Sequence, residues 1–168
     1  MTQVVFHTTL GDITIEVDHK NAPISAANFV QYAEDGFYNG TIFHRIIPNF
    51  VVQGGGLEPG MENKTTRAPI ENEADNGIKN LKGSLSMART MDPNSATSQF
   101  FINLKDNDFL DHTAKTPQGW GYAVFGRIVD GMDVVENMAK VGTTSRQGHQ
   151  DVPVEDILVE NTTVKAAE

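Results

Sequence analysis

The residues best suited to chemistry sit in two short aromatic segments. The first is Phe43-His44-Arg45-Ile46-Ile47-Pro48-Asn49-Phe50-Val51-Val52-Gln53. The second is Ser98-Gln99-Phe100-Phe101-Ile102, with Phe109-Leu110 soon after. Of the nine phenylalanines in the chain, five lie here, so Arg45 has unusually apolar surroundings. Strand alternation predicts Arg45 on one face with Phe43 and Ile47. On the next strand it predicts Phe50 with Val52 and Val51 with Gln53. Taken singly, each Phe reads as core and Arg45 as half of a surface ion pair. Gln53 and Gln99 read as strand-edge hydrogen-bonding groups. Taken together, one Arg and two Gln among phenylalanines describe a shallow apolar pocket with a few convergent polar groups.

The chemistry such a pocket offers is non-covalent. The chain has no Cys, which removes thiol nucleophiles, disulfides and Cys-ligated metals. Gly54-Gly55-Gly56 is not followed by Lys-Ser/Thr, so it is no phosphate loop. There is no GxGxxG opening a helix and no GxSxG elbow. His7, His19, His44, His112 and His149 never fall at metal-ligand spacing. The reading is therefore no metal and no cofactor. Thirteen Lys plus Arg against 22 Asp plus Glu give a net charge of −9, which disfavours nucleic acid and anionic membranes as partners. The same acidity is expected to bias clients toward basic segments. No apolar run is long enough to span a bilayer, and the N-terminus has no signal-peptide pattern, so a cytoplasmic protein is expected.

The elements that must position these residues are mostly strands. A length of 168 residues suits one domain, 1–168. Val4–Thr8 and Ile13–Val17 flank a Leu10-Gly11-Asp12 turn and predict a hairpin. Asn21-Ala22-Pro23 predicts a helix start, with the helix running to Glu34 and stopping at Gly36. Strands are expected at 41–47, 50–53, 84–88, 99–103, 122–129 and within 154–164. A second helix is expected from Met132 to about Lys140. Residues 57–82 form a long polar loop, functional or locally folded. Hairpin-like succession without βαβ alternation favours an antiparallel, closed or nearly closed sheet with helices over its ends. The end of the chain, 164–168, reads as a short polar fray.

The blocks Phe43-His44-Arg45-Ile46-Ile47-Pro48, Phe50, Gln53-Gly54-Gly55, Gly83-Ser84-Leu85-Ser86-Met87-Ala88, Ser98-Gln99-Phe100-Phe101-Ile102 and Val124-Phe125-Gly126 resemble, in order, those of the cyclophilin-type peptidyl-prolyl cis-trans isomerases. The segments Gln118-Gly119-Trp120-Gly121-Tyr122 and His149-Gln150-Asp151-Val152-Pro153 look most like the family's bacterial cytosolic B group. The resemblance covers nearly the whole chain. It implies a mainly β fold, an eight-stranded antiparallel closed β-barrel capped by two α-helices. It also implies isomerisation of Xaa–Pro bonds in unfolded or flexible chains, in support of protein folding.

By the same resemblance Arg45, Gln53 and Phe50 are the catalytic residues. Val51, Phe101 and Leu110 surround the proline ring with Phe50. Ala88, Arg89 and Gln99 line the groove before proline, and Phe109 and Tyr122 complete the binding set. Four positions depart from the best-known pattern of the family. Val51 stands for Met, which implies a smaller pocket floor, Tyr122 for His and Arg89 for Asn. Phe109 stands for the Trp that contributes to cyclosporin binding in the family, so weak binding of cyclosporin-type cyclic peptides is expected. A monomer is expected, since no coiled-coil seam is present. Two other readings stand beside this one: a holdase that binds through the same groove without turnover, and a small-molecule carrier with a hollow barrel.

Overall fold

In the computed structural model, which describes residues 2–165, twelve strands and two α-helices are arranged around one sheet. The strands are β1 (Thr2–Thr8), β2 (Gly11–Val17), β3 (Arg45–Ile47), β4 (Val51–Gly54), β5 (Leu57–Glu58), β6 (Glu62–Asn63), β7 (Ser84–Met87), β8 (Phe100–Asn103), β9 (Val124–Asp130), β10 (Thr143–Arg146), β11 (His149–Pro153) and β12 (Val159–Lys165). The helices are α1 (Pro23–Glu34) and α2 (Met132–Met138). Residues 166–168 of the expected polar fray lie outside the described residues. No helix among the described residues is long and apolar enough to cross a membrane.

Eight strands form an antiparallel sheet in the order β12-β1-β2-β9-β7-β8-β4-β3. The expected closure of the barrel is only partial, because β12 and β3 share no ladder. The chain leaves strand geometry before Arg45, so β3 is three residues long and Thr41–His44 cross the gap instead. Three backbone bonds join the two edges there: Gly40 N–H to Val159 O at 2.7 Å, Val159 N–H to Thr41 O at 2.9 Å and Phe43 N–H to Ile157 O at 3.0 Å. The structure is thus a curled half-barrel laced at its seam.

Its interior is filled. Phe6, Phe29, Tyr38, Phe100 and Phe125 are all at most 1% exposed and pack ring on ring, with Phe29 and Phe125 centroids 4.8 Å apart. Such packing is how a protein core reaches its density. It overturns the hollow-carrier reading.

Helix α1 has the expected bounds, because Ala26, Phe29, Val30 and Ala33 bury one face at helical spacing. The cap-type residue of the predicted helix start, Asn21, does not cap it. The N-cap is Ala22, with no side-chain bond of its own. The carboxylate of Glu73 accepts from the Ser25 N–H at 2.7 Å and the Ile24 N–H at 3.2 Å, so a distant loop satisfies the helix end. That loop, 57–82, is locally folded. It holds the β5–β6 hairpin and a 3₁₀ turn at Ala74–Asn76, and Arg67 lies 4.1 Å above the Tyr32 ring of α1. The β10–β11 hairpin has no counterpart among the expected strands, since its residues show no alternation of apolar and polar types.

Candidate active site

Three residues far apart in sequence form one row across the sheet. Arg45 on β3 is the register partner of Gln53 on β4, and Gln53 is the partner of Phe101 on β8. Side chains of such partners stand on the same face about 5 Å apart, so strand pairing alone brings this set together. The side-chain Oε1 of Gln53 accepts from Arg45 Nη1 at 3.2 Å. The Gln53 amide donates to Gln99 Oε1 at 3.1 Å. Gln99 therefore orients Gln53, and Gln53 orients the guanidinium.

Beside this row is a small apolar cluster separate from the main core. Val51, Phe101 and Leu110 are buried in it, with Phe50, Ala88 and Tyr122 packed around them. Tyr122 meets Phe101 edge to face at 5.5 Å, and Phe109, itself 66% exposed, stacks on Phe50 at 5.6 Å. The result is a cleft of about 360 Å³ lined by Arg45 and Gln53 together with these apolar groups. Ala88 and Arg89 also line it.

Of the residues singled out from the sequence, Arg45, Gln53, Phe50, Val51, Ala88, Arg89, Phe101, Phe109, Leu110 and Tyr122 all line the cleft. Gln99 lines an adjoining polar cleft of about 390 Å³, with His44 and His149, and reaches the first only through Gln53. The expected strand faces need two corrections. Phe43 is core, 1% exposed, and lies before β3, so it does not flank Arg45. Phe50 lies in the turn before β4 and packs with Val51, whereas Val52 faces the core. The turn frees Phe50 from strand alternation, with Asn49 at φ 61°. A larger cleft of about 430 Å³ around Leu81 and Arg127 holds none of the aromatic residues, and its Arg127 pairs with Glu16 at 3.1 Å.

Other residues hold the cleft in shape. Asn107 donates to the Phe50 carbonyl at 3.1 Å and to Asn103 Oδ1 at 2.9 Å, while Asn103 donates to Ser84 Oγ at 2.9 Å. Asn80 donates to Asp111 through both its backbone and its side chain, at 2.7 and 2.9 Å. This buried network ties the Phe50 turn and the Asp108–Leu110 turn to β7 and β8. Its signal in the sequence was faint: an Asn at the end of an apolar strand, which strand pairing alone does not mark as buried.

A sequence model of one family, described as cyclophilin type peptidyl-prolyl cis-trans isomerase/CLD, matches residues 3–164. This chain belongs to the cyclophilin-type peptidyl-prolyl cis-trans isomerases. The isomerase is 55% identical to peptidyl-prolyl cis-trans isomerase B of Escherichia coli over 96% of this chain and 98% of that one. It is 52% identical to a peptidyl-prolyl cis-trans isomerase of Acinetobacter baylyi over 98% of this chain and 86% of the relative. Among solved structures, a Cryptosporidium parvum cyclophilin crystallised in the presence of the dipeptide Ala-Pro has a TM-score of 0.80 at 26% identity. That match covers 98% of this chain and 99% of the other. The isomerase thus acts on Xaa–Pro bonds, and its family binds proline-containing peptides.

One titratable group beside the site is a buried imidazole. His44 of the isomerase is 5% exposed and its Nδ1 has no hydrogen-bond partner. Burial, then the nearby His149 and Arg45, push its pKa down to about 4. A neutral imidazole therefore sits next to Arg45 in the chain and adds no second positive charge at neutral pH.

Proposed function

We propose that this cleft is where the isomerase turns Xaa–Pro bonds, with Arg45 as the group that lowers the barrier. The observation that carries the reading is the Gln99–Gln53–Arg45 chain of hydrogen bonds, which aims a guanidinium at an apolar cleft. Amide resonance holds the bond planar with a barrier of ~18–20 kcal/mol. As the bond twists, the proline nitrogen becomes pyramidal and regains a lone pair. A fixed cationic donor facing that nitrogen stabilises the twisted amide more than either planar one. A guanidinium is a fixed cation in proteins, and Arg45 keeps donors beyond the one given to Gln53.

In this reading Phe50, Val51, Phe101 and Leu110 hold the proline ring, and Gln53 bonds the peptide backbone. Ala88, Arg89, Gln99, Phe109 and Tyr122 receive the flanking residues. The substrates are flexible or unfolded chains that can enter an open cleft. The protein is a single domain acting as a monomer. The Cys-free sequence suits the reducing cytoplasm. Cyclosporin-type cyclic peptides bind weakly, because Phe109 lacks the indole N–H and the larger face of the family's usual Trp.

Exchange NMR on an Ala-Pro peptide tests the reading. Arg45→Ala is expected to cut the exchange rate by about 100-fold or more, the usual effect of removing a preorganised donor. The amide spectrum of the variant stays folded, since Arg45 lies outside the main core. An undiminished rate rejects the role given to Arg45. Refolding assistance that survives Arg45→Ala favours the holdase reading.

A further inference from the structure

The cleft has a charge opposite to that of the molecule. The chain carries 22 acidic against 13 basic residues, yet the charged side chains lining the cleft are Arg45 and Arg89, with no carboxylate among its lining residues. Neither arginine is ion-paired among the described residues. Elsewhere in the chain Arg127 pairs with Glu16 and Arg146 with Asp156. The carboxylates on adjoining walls, Glu71 and Asp151, line neighbouring clefts and bridge to neither cleft arginine. In an acidic protein, two unpaired arginines on one cleft leave a local positive charge that the whole-molecule figure hides.

Arg89 is built to stay there. Its Nε donates to Gly121 O at 2.9 Å, Nη1 to Thr90 O at 2.9 Å and Nη2 to Pro117 O at 3.3 Å. Its guanidinium lies 4.6 Å above the Tyr122 ring, which packs against Phe101 in the cleft wall. Neutral carbonyls take three of its donors and cancel none of its charge. With five N–H groups available, each Nη keeps one donor free. A side chain pinned in this way has already lost most of its conformational entropy before substrate arrives, so little is left to lose on binding.

We propose that Arg89 makes this isomerase prefer proline segments in which a residue flanking the proline carries a carboxylate, Asp or Glu. The inference rests on the reading of the cleft as the proline site. A carboxylate there meets a fixed guanidinium in a partly dry cleft, and a Lys meets repulsion. Arg89 acts as a specificity residue, and Arg45 remains the group that serves the twisting bond.

The test is exchange NMR on Ala-Ala-Pro-Ala peptides with Ala, Gln, Glu or Lys placed before or after proline. Each catalysed rate is divided by that peptide's uncatalysed rate. At low salt, Glu is expected to exceed Gln by about three- to tenfold in kcat/KM at one of the two positions, with Lys below Gln. The ratio shrinks toward one at ~0.5 M salt. Arg89→Gln loses the Glu/Gln ratio. Arg89→Lys keeps most of it, although it breaks the three-carbonyl latch. A purely structural role predicts the reverse, with both variants slowing all peptides alike and the ratio intact. Equal Glu and Gln rates in the unaltered protein overturn the proposal, as does a ratio that survives Arg89→Gln. Failure to accelerate the Ala peptide instead rejects the cleft reading itself, so the two failures are told apart.

Discussion

His44 and Arg45 are neighbours in the chain with opposite surroundings. Arg45 opens onto the cleft, while His44 is buried and neutral at neutral pH. The consequence is a stability term. Above pH ~6.5 the imidazole is neutral in both folded and unfolded chains. As pH falls toward 4, the unfolded chain takes up a proton that the folded chain, with its pKa near 4, refuses. Stability is therefore full above the unfolded pKa and is lost on the way down to about 4. Between pH 7 and pH 4.5 the loss from this group is expected to reach about 2–3 kcal/mol. Urea unfolding of the protein and of His44→Phe at both pH values measures it. The variant should lose that much less on acidification, and equal losses reject the assignment.

At the scale of elements, the glycine run that begins at the end of β4 sets how closely the site can be packed. A Cβ on Gly54 would come 2.8 Å from the Phe43 ring, and one on Gly55 would come 2.7 Å from Phe100. Gly55 also has φ +95°, a conformation that suits glycine. At Gly56 a Cβ would lie 2.5 Å from Gln99 Cγ. The absence of a side chain there leaves room for Gln99 to hold Gln53. Gly56→Ala is therefore expected to displace Gln99, free Gln53 and loosen Arg45. Catalysis should fall by about tenfold or more, because small misplacements of a positioned group are costly. Thermal stability should drop only modestly. Exchange NMR with calorimetry checks the pair of outcomes, and an unchanged rate removes Gln99 from the positioning chain. In the sequence these glycines were legible as not being a phosphate loop and as part of a family block, Gln53-Gly54-Gly55, without a reason for the glycines. Their actual function depends on which side chains return from β8 and from the Phe43 segment.

At the scale of the molecule, the first and last described strands meet. β12 pairs with β1 from Gln3↔Lys165 to Thr8↔Val159, and the segment 157–159 also laces the seam beside Phe43. Deleting residues 157–168 would strip β1 of one neighbour, open the seam and expose the core at Ile157 and Val159. The truncated protein is expected to lose its cooperative thermal transition, because these contacts are long-range and shared by one core. Scanning calorimetry decides this, and a surviving sharp transition shows that the sheet stands without its last strand.

Much of this protein was written in local pattern. The first hairpin, α1, the aromatic strands and the identity of nearly every cleft residue follow from alternation, helical spacing and the family blocks, all of which act over a few neighbours in the chain. Which phenylalanines are core and which are site was not written there. Phe43 and Phe100 face inward while Phe50, Phe101 and Phe109 face the cleft, because a turn at Asn49 and pairing across three strands assign the faces. The Glu73 cap on α1, the Asn103–Asn107 network and the lacing of the seam join residues tens of positions apart or more, or bury polar groups that local pattern leaves at the surface. The charge of −9 was legible from composition alone. Only the tertiary structure decided that the cleft carries the opposite sign, because charge at a site depends on which side chains the fold gathers there and which carboxylates it keeps away.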